Sequence, residues 1–447
     1  MSDIASGRTA GIVPVSKKRL IGIDAARGLA LIGLMAVHIL PLSSEDTGDP
    51  TWTFTLFYGD SAALFALLAG VGLALTSGGR QPHSGRQVSA DRAGLAVRAA
   101  MIGVLALVLA AIIQPADPET SILLYYSMFF LLAIPFLSLG PRALFVSAAA
   151  FLVIAPILMQ QLGPMLPEWS ESNPGVVEVF TEPAAVVSQL LLTGTYPALP
   201  YMTFLLAGLG LGRLNLRSVR VQAIIAGVGA ALAVLANLVS SLLFYAFGGY
   251  QALLDTPDMT IETLDEAIVY GPELVPADSG WWYALATPHT NMPLALVSSL
   301  GTAMMVLGVF LLVSDRAGRW LRPLAAMGAM TLTLYSAHLA ALAMELHYDD
   351  PELWFVIHVG LAGLFAWFWQ RSRGRGPLEA MVSRAVNGIR IAAGGSGQVA
   401  IGTTVGVVQG GNVAGTADGA TADPTGGTTG GPTGRPSQRP PASSTDG

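Results

Sequence analysis

The sequence predicts an all-α fold, a polytopic membrane helix bundle of about ten transmembrane helices with both termini cytoplasmic. Three observations predict it. Of 447 residues, 52% are hydrophobic and only 12% charged, where a soluble domain carries about 25% charged residues. Apolar runs repeatedly approach the roughly 20 residues that cross a bilayer, and mean hydropathy is +0.57. The basic residues alternate with those runs, which checks the map independently.

The runs cover 21–41, 56–76, 94–114, 121–139, 142–161, 196–212, 219–247, 291–314, 323–345 and 353–371. A further apolar stretch, 184–194, is short and reads as an interfacial or re-entrant helix. The connections GGRQPHSGRQVSADR, GPR, GRLNLRSVR and DRAGRWLRP are basic, as are the flanks SKKR and RSRGRG. The alternate connections SSEDTGDP, QPADPET, EWSESNPGVVEVFTEP, the long 248–290 loop and ELHYDDPE hold no Lys or Arg. All 23 basic residues therefore fall on one side or at its membrane edge, which by the positive-inside rule is the cytoplasmic face of the cell membrane.

Composition divides the chain into a disordered cytoplasmic arm at 1–16, a membrane domain at 17–385 and a disordered cytoplasmic tail at 386–447 rich in Gly, Thr, Pro and Ser. The first apolar run is too long for a cleaved signal peptide, and no small-residue cleavage site follows it. The chain has no cysteine, which excludes disulfides, thiolate metal sites and cysteine nucleophiles. The expected partners are the lipid bilayer and a second copy of the chain, with no nucleic acid. Arg-over-Lys usage with abundant Ala and Gly fits a bacterial origin.

Span one, RLIGIDAARGLALIGLMAVHILP over 19–41, raises the chemical question, because Asp24, Arg27 and His38 lie within it. A charge at mid-helix costs roughly 2.5–3.5 kcal/mol on insertion scales, so such groups need a partner or a task. At 100° per residue the three fall within about 60° of one another, and Arg27 and His38 are roughly 16 Å apart along the axis. One face thus carries a cation below and a proton-transfer group above. The plainer alternative is that Asp24 and Arg27, at i and i+3, pair and hold the bundle. Asp60 opens span two in FYGDSAALFALLAG, and ATPHTNMP sets His289 and Asn291 at the outer mouth of span eight. In span nine Thr331, Tyr335, His338 and Glu345 share a face within about 80°. His38, Asp60, His289, Tyr335 and His338 are therefore expected to line one outward-leaning polar cavity. Plainer roles exist here too: Tyr335 as a core tyrosine, His289 as a loop histidine, Glu345 as a solvated helix end. His347 and His358 carry no usable signal. The glycines of LLAGVGLAL and LLAGLGLGRL suit close helix approach rather than a phosphate loop, since no strand precedes them and no Lys-Ser or Lys-Thr follows.

RLIGIDAARGLALIGLMAVHI resembles the first-span signature of the heparan-α-glucosaminide N-acetyltransferase catalytic-domain family and of the neighbouring YeiB-like membrane proteins. ALFALLAGVGLAL, PLAAMGAMTLTLYSAHL and RGPLEAMVSRAV resemble further YeiB-like blocks, so the likeness covers about 18–385. It implies a membrane acyltransferase that moves an acyl group, acetyl in the best-known member, from cytoplasmic acyl-CoA to an extracytoplasmic acceptor such as a cell-envelope glycan or glycolipid. No metal is expected. Lys17, Lys18, Arg19 and Arg27 would then dock the anionic coenzyme. His38, which stands where related acyltransferases carry a first-span His and the glucosaminide enzyme an Asn, would act as general base. Asp60 or His338 would orient it or relay its proton, and His289, Asn291 and Tyr335 would bind the acceptor. The glucosaminide enzyme also has a catalytic His just ahead of a Trp before span two. Here Trp52 follows TGDPT, which holds no His, so His38, His289 or His338 must serve. Direct transfer and a covalent acyl-His intermediate both stay open. The rival is a proton-coupled transporter or flippase built on the same intramembrane Asp and His set. Against it stands the lack of clear repeats and of paired broken helices. A non-catalytic scaffold would leave the buried ionisable groups unexplained.

Overall fold

A computed structural model describes residues 20–112, 121–167, 173–272, 275–346 and 349–394, and the backbone of 397–401 and 404–408. Lys17, Lys18 and Arg19, the 1–16 arm, His347 and residues 409–447 lie outside the described residues.

The helices in chain order are α1 (Ile21–Ile39), α2 (Trp52–Phe57), α3 (Asp60–Thr76), α4 (Arg86–Ile112), α5 (Leu123–Ala133), α6 (Pro141–Leu162), α7 (Val176–Thr181), α8 (Pro183–Ser188) and α9 (Ala198–Gly212). There follow α10 (Val219–Ser241), α11 (Gly249–Leu254), α12 (Ile261–Val269), α13 (Pro293–Ala317), α14 (Arg322–Gly328), α15 (Thr331–Leu342), α16 (Pro351–Arg373) and α17 (Pro377–Ala392). Local chemistry fixes many of the starts. Proline opens α6, α13, α16 and α17, where a missing N–H costs nothing. Thr51, Thr260 and Asp350 cap α2, α12 and α16 through their side-chain oxygens.

Among the described residues seven helices are long and apolar enough to cross a membrane, and nine spans result if each of two bent pairs counts as one. The bent pairs are Pro183–Thr193 with Ala198–Gly212, at 49°, and Arg322–Gly328 with Thr331–Leu342, at 77°. The first absorbs the short 184–194 stretch into the approach to α9. The expected span 121–139 is the apolar Leu123–Ser138 segment, which at about 1.5 Å per residue is shorter than a straight crossing needs. Two broken helices also contradict the expectation that none would be found.

Close approach of small residues sets the packing, as LLAGVGLAL and LLAGLGLG foretold. A Cβ added at Gly70 would strike the Leu205 carbonyl, and one at Gly208 the Leu67 carbonyl, so α3 and α9 touch backbone to backbone. Gly28 and Gly328 do the same for α1 and α14, and Gly229, Gly301 and Gly308 for α10 and α13. Without a hydrophobic drive inside lipid, such contacts hold helices together by dispersion. The outer faces keep exposed Val234, Leu235, Leu361, Leu364 and Phe368, the surface a bilayer would cover.

The two ends of the bundle are finished differently. At the end where α3 stops and α4 starts, buried Arg213 donates to the carbonyls of Ala74, Ser77, Gly79 and Leu137 and to the Ser77 hydroxyl, at 2.6–3.1 Å. Amphipathic α17 lies at the same end. It buries Val382, Val386 and Arg390, and Arg390 pairs with Asp91 of α4, which also binds His83 at 2.7 Å. That buried face carries the helix on to Ala392, past residue 386, and a β-hairpin pairs 397–401 with 404–408. At the opposite end the long loop after α10 folds into α11 and α12 around a small core of Phe244, Leu253, Leu264, Trp282, Leu285 and Met292. It docks on the 41–58 region through the Tyr270 hydroxyl, which donates to the Gly48 carbonyl at 2.6 Å.

Candidate functional site

The 77° break between α14 and α15 opens a cavity. It holds about 260 Å³ and is lined by Arg27, Arg98, Ala329, Thr331, Tyr335 and Glu379 among mainly apolar neighbours. Irregular backbone at membrane depth is tolerated where it lines such a space. Arg27 serves two ends. Its Nη1 lies 3.7 Å from the Asp24 carboxylate and donates to the Gly328 carbonyl, at 3.4 Å, where α14 stops. The local ion pair is therefore present, and the guanidinium still faces the cavity. Arg98 of α4 lines the same wall, with the Phe130 ring 6.0 Å from its guanidinium carbon. Sequence reasoning passed over it, although a second Arg four residues inside a span was a usable signal. Glu379 of α17 closes the floor. Its carboxylate accepts from the Thr333 N–H at 3.1 Å and from the Thr333 hydroxyl at 2.6 Å, capping the first turn of α15.

Tyr335, on the cavity wall, accepts a hydrogen bond from the Ile122 N–H at 3.4 Å. Behind it stand three imidazoles. His38 Nδ1 lies 3.2 Å from His338 Nε2, and His338 Nδ1 lies 2.9 Å from His358 Nδ1. Tyr335 lies 6.0 Å from His38 and 6.3 Å from His338, ring to ring. Helices α1, α15 and α16 thus bring together two predicted residues and one, His358, that was dismissed. The helical arithmetic that found Tyr335 and His338 on one face of α15 had no way to show which face of α16 would meet it.

Asp60, His289 and Asn291 form a second group. Asp60, at the start of α3, is hydrogen-bonded by Ser299 and Thr302 of α13. Ser299 lines a small separate cavity with His289, Asn291 and Tyr201. Tyr335 thus lines one cavity and His289 another, so the single cavity expected from depth alone is replaced by two. His289 and Asn291 both hold positive φ, 63° and 54°, a strained setting for a histidine. Tyr58 and Tyr196 pack on the His289 ring at 4.5 and 5.3 Å, and its Nδ1 reaches the Thr195 carbonyl at 3.4 Å. Burial pushes the His289 imidazole down to about 4, against a smaller upward pull from that carbonyl. Glu345 is exposed at the end of α15, the solvated helix end of the plainer alternative.

Chemically, the larger cavity offers guanidinium groups for an anion at one end, an apolar passage, and a phenol beside a histidine cluster at the other. Sequence comparison adds the family. The model of the family described as heparan-alpha-glucosaminide N-acetyltransferase, catalytic, matches residues 19–248. That stretch supplies Arg27, His38, Asp60 and Arg98, while Tyr335, His338 and His358 lie beyond it. Comparison with curated proteins gives no match.

Proposed function

Because the chain belongs to the heparan-α-glucosaminide N-acetyltransferase catalytic-domain family of membrane acetyltransferases, we propose that it transfers an acetyl group from acetyl-CoA to an amine or hydroxyl of a cell-envelope glycan or glycolipid. The observation that carries this is the single cavity running from Arg27 and Arg98 to Tyr335, beside His38. The guanidinium groups hold coenzyme phosphate, a bidentate task that suits Arg. A volume of about 260 Å³ accommodates the acylated arm rather than the whole coenzyme. His38 takes the acceptor proton as the acceptor atom bonds to the thioester carbonyl carbon. The carbon–sulfur bond then breaks and coenzyme A leaves as its thiolate. Tyr335 supplies an O–H to the oxyanion that forms in between. The basic face is cytoplasmic, which gives donor and acceptor opposite sides of the membrane.

The chain has no cysteine, so a thiol reagent added to purified protein in nanodiscs sees only released coenzyme A. We expect release from acetyl-CoA that depends on a hexosamine or glycan acceptor. His38→Gln keeps size and hydrogen bonding, and should cut release at least about a hundredfold while leaving the thermal midpoint near wild type. Activity within a few-fold of wild type would move the base to His289 or His338. One observation favours the transporter reading, the two bent helix pairs, since broken helices mark solute sites in transporters. A transporter releases no free coenzyme A, and the same assay separates the two.

A further inference from the structure

His338 uses both ring nitrogens, Nε2 toward His38 and Nδ1 toward His358, at 3.2 and 2.9 Å. The His38 and His338 planes differ by 7°, with centroids 5.4 Å apart. The centroids are farther apart than the nitrogens by about a ring diameter, so the rings meet edge to edge in one plane. That is the geometry of an N–H···N bond and not of a face-to-face stack. The His338 and His358 planes are at 89°, with centroids 5.1 Å apart, and the same excess over the nitrogen separation holds. A hydrogen bond is indifferent to rotation about its own axis, so both links satisfy its geometry.

A neutral imidazole has one donor and one acceptor nitrogen. Two linked bonds therefore allow two concerted arrangements. In the first, His38 Nδ1–H donates to His338 Nε2 and His338 Nδ1–H donates to His358 Nδ1. His38 then carries its lone pair on Nε2, and His358 carries its proton on Nε2. In the second, every proton has shifted along by one bond. We propose that His358 is the exit residue of a three-imidazole proton relay, a positioning residue that carries charge away from His38 so that the base ends neutral after taking the acceptor proton. This rests on acetyl transfer for the source of the proton. The acceptor proton enters at His38 Nε2. The His38 Nδ1 proton passes to His338 Nε2, the His338 Nδ1 proton passes to His358 Nδ1, and the His358 Nε2 proton leaves to water or buffer. One proton enters and one leaves, and the three rings end neutral in the second arrangement. Ring flips restore the first, so one proton leaves through His358 in each cycle. Placement supports the direction, since His38 and His338 are buried while His358 is partly exposed and lies seven residues from the start of α16 at Pro351, about 10 Å from the end of that span.

The test uses the full-length protein in nanodiscs with acetyl-CoA and a hexosamine. His358→Ala should lower kcat about tenfold or more and leave the donor KM unchanged. Added imidazole should restore much of the rate by filling the vacated exit. His358→Gln keeps the packing but cannot relay, and imidazole should not restore it. Nitrogen-15 shifts of labelled histidines provide a readout that needs no turnover: His358→Gln should change the tautomer balance of His338 and of His38 two bonds away. The relay is overturned by an unchanged kcat, by a loss in His358→Ala that imidazole leaves untouched, or by His38 shifts that ignore His358→Gln. Wild-type protein that releases no coenzyme A sinks the acetyl-transfer reading instead, and the nitrogen shifts still decide whether the rings are coupled.

Discussion

Arg213 and Arg98 are guanidiniums of the same bundle end, both set into its packed interior, and they are treated in opposite ways. Arg213 is 3% exposed, and five acceptors from two segments, residues 74–79 and Leu137, surround it. Arg98 faces a cavity and the ring of Phe130. The first is a staple: its donors give the Gly79 and Leu137 carbonyls a partner and add a second one to the Ala74 and Ser77 carbonyls, which backbone N–H groups already reach. The second is a cation held where a ligand anion can complete it. A charged residue in an apolar span thus has two quite different explanations, and its acceptors, not its burial, tell them apart.

The largest effect should come from breaking the staple. Arg213→Met strands the Gly79 and Leu137 carbonyls and removes a second partner from those of Ala74 and Ser77, and we expect a loss on the order of 2–4 kcal/mol, a large share of the stability of an ordinary domain. Thermal unfolding in detergent and the monodispersity of the purified protein read it directly. Arg213→Lys should recover little, because one ammonium offers three donors where the fork reaches five acceptors. A stable, active Arg213→Met would erase the contrast.

Arg98→Leu should do the reverse. It removes a charge that pairs with no carboxylate among the described residues, so the thermal midpoint should hold or rise, while one charge-assisted contact to the donor, about 1.5–3 kcal/mol, is lost. We expect the acetyl-CoA KM to rise about tenfold or more with kcat largely kept. If Arg98→Leu instead unfolds like Arg213→Met, Arg98 is a second staple and the cavity loses its cation.

This contrast also marks how far the sequence could be read. The bundle, its apolar runs and the close-packing glycines follow from composition and period alone, since lipid allows few other ways to satisfy a backbone. Helical spacing orders residues on one element, so it could group Arg27 with His38 and Tyr335 with His338. What failed needed rotation between elements. His358 looked inert until α16 turned it toward α15, and Arg213 was only one more basic flank until two segments converged on it. Asp60 and His289 were placed with His38 by depth along the helix axis, and depth does not fix position around the bundle. The break at residues 329–330 was hidden for another reason: Ala329 and Met330 are ordinary helix formers, and tertiary contact at Gly328 and Thr333 makes the bend.

The smallest effect tests the histidines at the other end of the comparison, where groups titrate instead of staying charged. His289 is pushed from its ordinary 6.5 down to about 4 by burial between Tyr58 and Tyr196. The folded chain therefore holds this ring neutral over a pH range in which the unfolded chain protonates it. The stability it contributes is fully present above pH 6.5 and drains away as pH falls toward about 4. At pH 5.5, one unit below the unfolded value, the loss is about 1 kcal/mol, since one unit is worth about 1.4 kcal/mol and partial exposure screens some of it. His289→Asn is the informative variant, because Asn tolerates the positive φ at this position and does not titrate. The thermal midpoint of the wild type should fall from pH 7 to 5.5 by more than that of His289→Asn, and the two curves should run parallel above pH 7. Parallel curves throughout would mean that His289 stays solvated enough to titrate normally, and the second cavity would then be an open mouth and not a closed site.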